Sequence, residues 1–572
     1  MASPDRSLLP APEPSRLVNL PAELRIAIVS YMPKRDIKSL RRTCKLFGEG
    51  VLLHIDRVFL SANPIDIKVL RAIAKHETYR HGVVELIWDD ARLDAPPDLP
   101  TQDIFQGIDT FWKSWYEEAC ESNAEEAEHR KGSDVDRPDH AARDRWITAQ
   151  PSTEVLLLHF KKMFSEQCDV SRTNRDASAL KYALARFPSL RKITLTPATH
   201  GVPFTPLYQT PMIRALPYGY NYPIPRGWPV KEPGGWGGMP SWQSSSSEED
   251  GLDKNKWRGF CIITQTLARE KHNISEFVVD VSLLNTGLNI YMFDKPCDEY
   301  NDFVTMLRKP GFRRIDLAFL VDRRDFHSWD AFANGRLRSA LALATDLDHV
   351  SLSTNVPYEV GNRIWAENNI THFVPLRAIF SVKNWPKLGH FGLSGFVVQQ
   401  DDIISLLAAL PPTLRSVELS FLYFLEGHGT NREFLAAMRD TLDWRERPVS
   451  ERPRITMGWQ MDGVVPKDGR ALWVDEQVNE FVYGHGENPF REDIPNQIST
   501  GAGTRRDIFE PAYERPNVED ADLIRMGIIK ELLPEQDSAT CTCTCTCTEP
   551  SAQELEDLHI GRGWYEEGNS LI

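Results

Sequence analysis

The sequence has few cysteines, and those it has match neither a disulfide framework nor a standard metal site. There are nine in 572 residues. Five lie far apart, and four alternate with threonine in the stretch "TCTCTCTCT". Structural zinc sites use cysteine pairs separated by about two to four residues. The alternation is therefore more typical of low-complexity sequence, with a soft-metal site as the weaker interpretation. We expect no bound metal and no cofactor.

The sequence also lacks a long apolar run. No stretch approaches the roughly 18 uninterrupted apolar residues that a membrane-spanning helix needs. The opening residues, "MASPDRSLLPAPEPSR", are rich in proline and charge and lack the apolar core of a signal peptide. The sequence therefore predicts a cytoplasmic or nuclear protein with no membrane partner.

Basic charge is not in excess. Lys and Arg total 66 against 81 Asp and Glu, a formal net charge of -15. General binding to nucleic acid depends on clustered Lys and Arg that neutralise phosphates. We therefore expect no nucleic-acid partner.

Sequence motifs of common enzyme sites are missing. The chain contains no GxxxxGK[ST] phosphate loop, no GxSxG nucleophile elbow and no HExxH metal helix. The glycine-rich "EPGGWGGMP" is followed by no Lys–Ser/Thr pair and is interpreted as a turn. The sequence therefore predicts a chain that is not an enzyme. An unrecognised enzyme domain in the C-terminal half is the remaining alternative.

Three segments are predicted to pack poorly. Residues 121–145 are highly charged and nearly devoid of large apolar side chains, so we expect them to bury little surface. Residues 201–256 are rich in proline and glycine, and the third segment is the tail beyond about residue 501. The second segment also carries several aromatic side chains, which suggests a long loop folded back on the surface. Because tryptophan is enriched in binding hot spots, we interpret Trp228, Trp236 and Trp242 as candidate target contacts.

Between these segments the chain repeats a helix, a turn and a strand of the form L-x-x-φ-x-L, where φ is apolar. "ASALKYALARFPSLRKITL" and "DIISLLAALPPTLRSVELSFL" are two clear copies. From Ile315 onward the predicted strand centres are 35, 41, 26 and 38 residues apart. Those centres are Ile315, Val350, Phe391, Val417 and Ile455.

The repeat predicts a mixed α/β fold (α/β or α+β) built as an irregular leucine-rich-repeat-like solenoid. Each strand–helix unit has an apolar face that it cannot bury alone, and stacking such units makes a continuous core. The alternative is an ordinary α/β domain, in which strands and helices also alternate. The predicted boundaries are 1–15 disordered, 16–60 a small all-helical domain, 61–470 the solenoid with insertions 121–145 and 201–256, and 471–572 an extension largely disordered after about 535.

Two short amphipathic helices are predicted in "NLPAELRIAIVSYMPKRDIKSLRRTCKLF", residues 19–47. Pro21 suits a first helical position, and Leu24, Ile28 and Tyr31 then fall on one helical face, which Met32 extends. Pro33 ends this helix, and Asp36 is the predicted N-cap of the second. Isolated helices of this length are marginal in water, so they must pack against something else.

This stretch resembles an F-box, whose usual form is L-P-x-E-[LI], an apolar helix, a [DN]-[LI] helix start and an R-x-[TV]-[CS]-[KR]-x-[FW] ending. The order and spacing agree throughout, with Met32 where leucine is usual and Ile37 in place of the commoner leucine. The matching residues are Leu20, Pro21, Glu23, Leu24, Asp36, Ile37, Leu40, Arg41, Thr43, Cys44, Lys45 and Phe47.

Two later segments resemble the C-terminal ends of F-box proteins from filamentous fungi. They are "LWVDEQVNEFVYGHGENPFREDIPNQ" and "GTRRDIFEPAYERPN". A leucine-rich repeat domain commonly follows an F-box, which fits the strand pattern above.

The resemblance implies that the chain binds a Skp-type adaptor and, through it, a cullin-RING ubiquitin ligase. The chain would then be a non-catalytic, substrate-recognition subunit of an SCF-type ligase, with its repeat domain binding an unknown target protein. The alternative is an F-box scaffold that binds the adaptor without promoting degradation of anything. The implied adaptor-binding residues are Leu20, Pro21, Leu24, Ile28, Tyr31, Met32, Ile37, Leu40, Arg41, Cys44 and Phe47.

Overall fold

A computed structural model describes most of the chain. The described residues are 17–51, 53–96, 108–132, 137–229, 242, 254–321, 327–355, 373–459, 469–518 and 520–526. Residues 1–15, Trp236, the cysteine repeat and the tail after about 535 lie outside these ranges, and so do the predictions made for them.

Helices and strands alternate along most of the described chain. The helices are α1 (Ala22–Ser30), α2 (Lys34–Arg41), α3 (Lys45–Gly50), α4 (Pro64–Lys75), α5 (Tyr79–Gly82), α6 (Ile108–Lys131), α7 (Pro138–Thr148), α8 (Thr153–Arg172), α9 (Arg175–Arg186), α10 (Pro211–Arg214), α11 (Arg258–Arg269), α12 (Asp298–Leu307), α13 (His327–Ala333), α14 (Arg336–Leu341), α15 (Leu376–Ile379), α16 (Gln400–Ala408), α17 (Asn431–Thr441), α18 (Asp475–Tyr483) and α19 (Asp520–Arg525). The strands are β1 (Arg57–Ser61), β2 (Glu85–Asp89), β3 (Lys192–Thr196), β4 (Glu276–Val279), β5 (Leu288–Asn289), β6 (Arg314–Leu320), β7 (His349–Thr354), β8 (His390–Ser394), β9 (Val397–Val398), β10 (Ser416–Ser420), β11 (Tyr423–Phe424), β12 (Arg454–Thr456), β13 (Gly458–Trp459), β14 (Arg470–Trp473), β15 (Thr504–Asp507) and β16 (Glu514–Pro516).

One large parallel sheet dominates the fold. It has ten strands in the order β1-β2-β3-β4-β6-β7-β8-β10-β12, with the short β5 beside β6. Its strands therefore lie side by side almost in their sequence order. Two smaller sheets are a parallel pair, β9 and β11, and an antiparallel sheet of β13 to β16.

The helices that follow the strands form a single row in the same order. Along this row α4 packs on α9, α9 on α11, α11 on α12, and α12 on α14. The row continues from α14 through α15, α16 and α17 to α18. An ordinary doubly wound α/β domain would instead reverse its strand order and carry helices on both faces. The predicted stack of strand–helix units is therefore confirmed.

The apolar positions of the L-x-x-φ-x-L pattern lie between the sheet and this row of helices. Ile315 and Leu317 of β6 are buried there, as are Val417 and Leu419 of β10. Arg314 and Asp316 of β6, and Ser416 and Glu418 of β10, alternate with them and are half-buried on the opposite side, which we call the open face. Alternation of this kind is what a strand with one covered face requires.

The main core extends past both boundaries predicted for the solenoid. β1 pairs in parallel with β2, so the sheet already begins at Arg57, before the boundary at residue 60. Beyond residue 470, Val478 and Val482 of α18 are buried in the same core. The sequence pattern missed β1, because "RVFLS" lacks the leading leucine of the other units.

The long segment between β2 and β3 folds into α6, α7, α8 and α9, and it has a core of its own. Tyr116 of α6 and Phe160 of α8 are buried there with Tyr220 and Tyr222 of the following loop. Arg130, at the end of α6, is also buried and pairs with Asp507 of β15. The prediction that residues 121–145 bury little surface is therefore wrong for the described part, because distant carboxylates neutralise their charges.

Two tryptophans in the described part of residues 201–256 are packed instead of lying on the surface. Trp228 and Trp242 are buried in the main core. The Trp228 indole donates a hydrogen bond to Asp90 Oδ2 at 2.7 Å. The Trp242 ring lies 5.7 Å from that of Trp257, centroid to centroid. Burial withdraws both indoles from a surface on which a target would dock.

The N-terminal residues form a small helical unit, α1 to α3, with its own core of Ile37, Phe47 and Val51. The predicted second helix is divided into two. α2 begins after Pro33, before the expected N-cap Asp36, and ends at Arg41. The chain is extended at Cys44, which precedes α3.

Among the described helices, none is both long enough and apolar enough to cross a membrane.

We expect Trp242→Ala to destabilise the protein strongly, because truncating a buried tryptophan leaves a cavity and typically costs about 3–5 kcal/mol. The apparent midpoint of urea unfolding measures the loss. Tyr218→Ala is the comparison, since Tyr218 is 67% exposed and a surface change of this kind usually costs less than about 1 kcal/mol. Equal midpoints for the two variants would contradict the packing role of Trp242.

Candidate functional site

The first helix of the helical unit leaves its apolar side chains uncovered. α1 has no buried residue. Leu24 and Ile28 share one side, four residues apart, and are 52% and 41% exposed. Tyr31, the C-cap residue just after α1, is 90% exposed, and Ile26 is exposed on another side of the helix. Scattered single apolar residues are normal on protein surfaces, whereas a contiguous apolar face on one helix is typical of an interaction site.

Other side chains attach α1 to the helical unit. Val29 of α1 and Met32, which follows the helix, pack on the core formed by Ile37 and Phe47. Arg25 donates a hydrogen bond from Nη1 to the carbonyl of Val18 at 3.0 Å. The exposed side chains therefore differ from those that contact the core, so a partner can contact the first set without displacing the second.

Arg41 also has a structural role within this unit. Its Nη1 donates a hydrogen bond to the carbonyl of Val51, which fixes the chain after α3 to the end of α2. This bond satisfies a backbone acceptor where a helix ends.

The structure thus separates the implied adaptor-binding residues into groups. Ile37 and Phe47 are buried in the helical unit itself. The partly buried members are Leu20, Met32, Leu40 and Arg41, and the exposed members are Pro21, Leu24, Ile28, Tyr31 and Cys44.

A row of charged and polar side chains crosses the open face of the main sheet. Its register begins with Arg57 opposite Glu85 and Glu85 opposite Lys192. Arg57 Nε and Lys192 Nζ lie 2.7 and 3.0 Å from the carboxylate oxygens of Glu85. Burial raises the pKa of Glu85, but hydrogen bonds from Thr194 and Lys192 and the charges of Lys192 and Arg57 outweigh it and lower that pKa. The carboxylate therefore stays charged between two cations.

The same row continues through two histidines. His349 lies opposite Arg314 on one side and His390 on the other. The imidazoles of His349 and His390 stack with ring centroids 3.9 Å apart. Burial and, secondarily, the neighbouring His349 lower the pKa of His390 to about 4.

Asp316 of β6 holds the histidine pair in place. One carboxylate oxygen lies 2.9 Å from His349 Nε2, and the other accepts a hydrogen bond from Arg314 Nε at 3.0 Å. Burial acts to raise the pKa of Asp316, and the contacts with His349 and Arg314 reverse the effect, so its pKa is lowered. Side chains of opposite charge and their hydrogen bonds thus link neighbouring strands across this face.

A third group of charges is buried where α6 and α7 meet the C-terminal strands. Arg143 Nη2 donates a hydrogen bond to Glu510 Oε1 at 2.8 Å, and Arg130 lies on the same carboxylate, with Nε 3.7 Å away. Burial acts to raise the pKa of Glu510, but His140, Arg143 and Arg130 lower it to about 2. Two guanidinium groups already neutralise this carboxylate.

Asp139, His140 and Glu510 place potential metal ligands close to one another among the described residues. Asp139 is, however, paired with Arg137, and Glu510 with Arg143. A metal cation would have to compete with these guanidinium groups, so the donor set fits an ion-pair network better than a metal site.

Sequence reasoning missed this buried network because its members are far apart in the chain. Arg130 and Asp507 are separated by 377 positions. The only sequence signal was the resemblance of "GTRRDIFEPAYERPN", which contains Asp507 and Glu510, to the ends of fungal F-box proteins. That segment folds back onto α6 and α7.

No protein-family model matches the chain, and no curated protein matches it significantly. The F-box resemblance therefore depends on the residues of the motif alone.

The low pKa of His390 predicts that the protein loses stability in acid. An unfolded histidine titrates near pH 6.5. With a folded pKa of about 4, the folded state binds fewer protons between these values. This contribution to stability is complete above pH 6.5 and is lost as the pH falls toward 4. We expect His390 to account for about 2–3 kcal/mol of the loss between pH 7 and 4.5.

The measurement is urea unfolding of the wild type and of His390→Asn across this pH range. The asparagine amide retains a group able to hydrogen bond to Ser416, which lies 3.0 Å from His390 Nδ1. We expect the variant to lose less stability in acid than the wild type. His428→Asn, at an exposed histidine, is the control. A pH profile identical to the wild type in His390→Asn would contradict this assignment.

Proposed function

We propose that this chain is the substrate-recognition subunit of an SCF-type cullin-RING ubiquitin ligase. In this proposal α1 to α3 form an F-box that binds a Skp-type adaptor in the cytoplasm or nucleus. The stacked strand–helix units and the insertion between β2 and β3 would then carry a target protein. The chain itself performs no bond chemistry.

The observation that carries the proposal is the uncovered apolar face of α1. Leu24 and Ile28 of α1 and the adjoining Tyr31 are exposed, while Val29 and Met32 pack on the helical unit. Laying such a face into a hydrophobic groove is a common mode of helix recognition, with anchors at i, i+4 and i+7. Burying these side chains against a partner would remove their apolar surface from water, which is favourable for binding.

The buried members of the motif support the same proposal in another way. Ile37 and Phe47 fix α2 and α3 against α1. They would present the docking face in one conformation without contacting the adaptor. A preformed face binds with less loss of conformational entropy than a helix that must fold on contact.

The proposed mechanism is proximity. A chain that holds the adaptor at one end and a target at the other raises the effective concentration of target lysines near the transferring enzyme. Correct positioning of two reactants is itself a large contribution to rate. This mechanism needs no catalytic group in the chain.

Co-expression with a fungal Skp-type adaptor tests the docking face. We expect the wild type to purify as a stoichiometric complex. Leu24→Asp combined with Ile28→Asp should weaken binding by about 100-fold, because a charge would be buried at each of two central anchors. The dissociation constant measured by titration of the purified adaptor gives the change, and circular dichroism confirms that the variant is folded.

The matched control is Val155→Asp combined with Leu158→Asp on α8, where both side chains are exposed. This pair introduces the same charges at exposed apolar positions outside the helical unit. Loss of adaptor binding in both double variants, or in neither, would show that the α1 face is not the docking surface. A cullin that co-purifies with the wild-type complex distinguishes the ligase subunit from a scaffold.

A further inference from the structure

The helices α4 and α9, which pack on each other at the start of the row, expose positive charge only. Their acidic residues, Asp66 and Asp176, are both fully buried. The basic residues of the two helices are Lys68, Arg71, Lys75, Arg175, Lys181 and Arg186, and all six are exposed. This surface contrasts with the chain as a whole, which has a formal net charge of -15.

Four of these six cations have no acidic partner in the described part of the chain. Arg175 lies 3.5 Å from Asp169, and Lys181 lies 3.2 Å from Glu270. No described carboxylate pairs with the remaining four, which we call the α4–α9 patch. They are Lys68, Arg71, Lys75 and Arg186. The three on α4 are spaced by three and four residues, so they share one side of that helix.

Tyr182 of α9 brings two of these charges together. Arg71 Cζ lies 5.9 Å and Arg186 Cζ 5.4 Å from the centroid of its ring. Contact with an aromatic ring is favourable for a guanidinium group and limits its motion. Two like charges at one ring nevertheless repel each other. A carboxylate that contacts them would relieve this repulsion, since it can accept two parallel hydrogen bonds from an arginine.

The charge distribution favours a short acidic peptide over a larger polyanion. A nucleic acid or an anionic membrane extends beyond the patch and meets the rest of a chain whose net charge is -15. That field repels an extended anion. A peptide of a few residues can contact the patch alone.

The chain contains a peptide of this kind. Residues 527–572, outside the described ranges, hold nine Asp and Glu against two Lys and Arg, a formal net charge of -7. Nearly half of the net negative charge of the chain is therefore in this stretch. Six of its nine acidic residues lie between positions 549 and 567, and they are Glu549, Glu554, Glu556, Asp557, Glu566 and Glu567.

This acidic segment is connected to a part of the fold that adjoins the patch. The strands that precede the end of the described chain contact α6 through Asp507 and Arg130. α6 packs on α8, and α8 packs on both α4 and α9. Packed helices lie about 8–10 Å apart, and the 22 residues 527–548 span up to about 75 Å when extended. The segment can therefore reach the patch.

A tethered segment needs little affinity of its own. Exposed ion pairs are each worth less than about 1 kcal/mol. Attachment to the same chain, however, raises the local concentration of the segment to the order of millimolar. Several weak ion pairs formed within one chain then suffice for binding.

We propose that the acidic segment 549–567 of this chain binds the α4–α9 patch. Its carboxylates pair with the guanidinium groups of Arg71 and Arg186 and with the amines of Lys68 and Lys75. An acidic segment of another protein has to displace it to use the same surface, so the C-terminal segment regulates access to the patch. This binding is separate from the α1 surface and does not depend on the adaptor.

Carbodiimide cross-linking of the full chain tests the proposal, because this reagent joins a lysine amine to a carboxylate in contact with it. Mass spectrometry of the monomer fraction identifies the linked residues. We expect Lys68 and Lys75 to be joined to carboxylates of 549–567. Lys383, another exposed lysine with no ion pair among the described residues, should not be. Salt at about 1 M shortens the screening length to about 3 Å and should remove these cross-links.

Reversing the charge of the patch should abolish the contact. In Arg71→Glu combined with Arg186→Glu we expect loss of the cross-links from Lys68 and Lys75 to the acidic segment. The matched control is Arg338→Glu combined with Arg377→Glu, which reverses two exposed arginines of α14 and α15 in the same row of helices. It should keep the cross-links. Circular dichroism checks that both double variants are folded.

Reversing the charge of the segment provides a variant that alters no described contact. Glu554→Lys with Glu556→Lys and Asp557→Lys should lose the cross-links of the remaining acidic residues to the patch. Combining these changes with Arg71→Glu and Arg186→Glu should restore cross-linking between the introduced lysines and the introduced carboxylates, because both charges are then reversed.

Three results would overturn the proposal. The first is a segment that is not joined to the patch, or is joined to Lys383 as often as to Lys68 and Lys75. The second is unchanged cross-linking in Arg71→Glu with Arg186→Glu. The third is cross-linking found only in dimers, which would place the segment on another copy. The adaptor-docking variant, Leu24→Asp with Ile28→Asp, should cross-link as the wild type does, so failure of the docking proposal leaves this one intact.

Discussion

Each strand–helix unit of this chain has an apolar face that it cannot bury by itself, and the fold depends on this constraint. Stacking the units in chain order covers every such face except those at the ends. Ile315, Val350 and Phe391 occupy equivalent places in successive strands because the same requirement acts on each unit. On the other side of the sheet, the register that aligns these residues also aligns opposite charges, such as Arg57 with Glu85.

The proposed adaptor-docking surface lies outside this regular stack. The helical unit has a core too small to cover α1, so the apolar side chains of α1 stay exposed. A stacked unit has neighbours that cover its apolar face, whereas a small unit beside the stack has fewer of them.

The strands were predictable from sequence because their signal is local. A pattern such as "SLRKITL" places three apolar side chains within six residues, and the structure has a strand there. The helical unit was predictable for the same reason, apart from the break between α2 and α3. The buried charges of residues 121–145 were not, since their partners Asp507 and Glu510 are hundreds of residues away. Charge runs are usually solvated, and nothing local distinguishes this one.

The central claim is that the exposed side of α1 is a docking surface. Hydrogen exchange of the full chain, with and without a fungal Skp-type adaptor, tests it most directly. The account predicts that the adaptor slows exchange of backbone amides in residues 22–50 and leaves the main sheet unchanged. Unaltered exchange in that region at saturating adaptor, or protection confined to the strand–helix units, would contradict it.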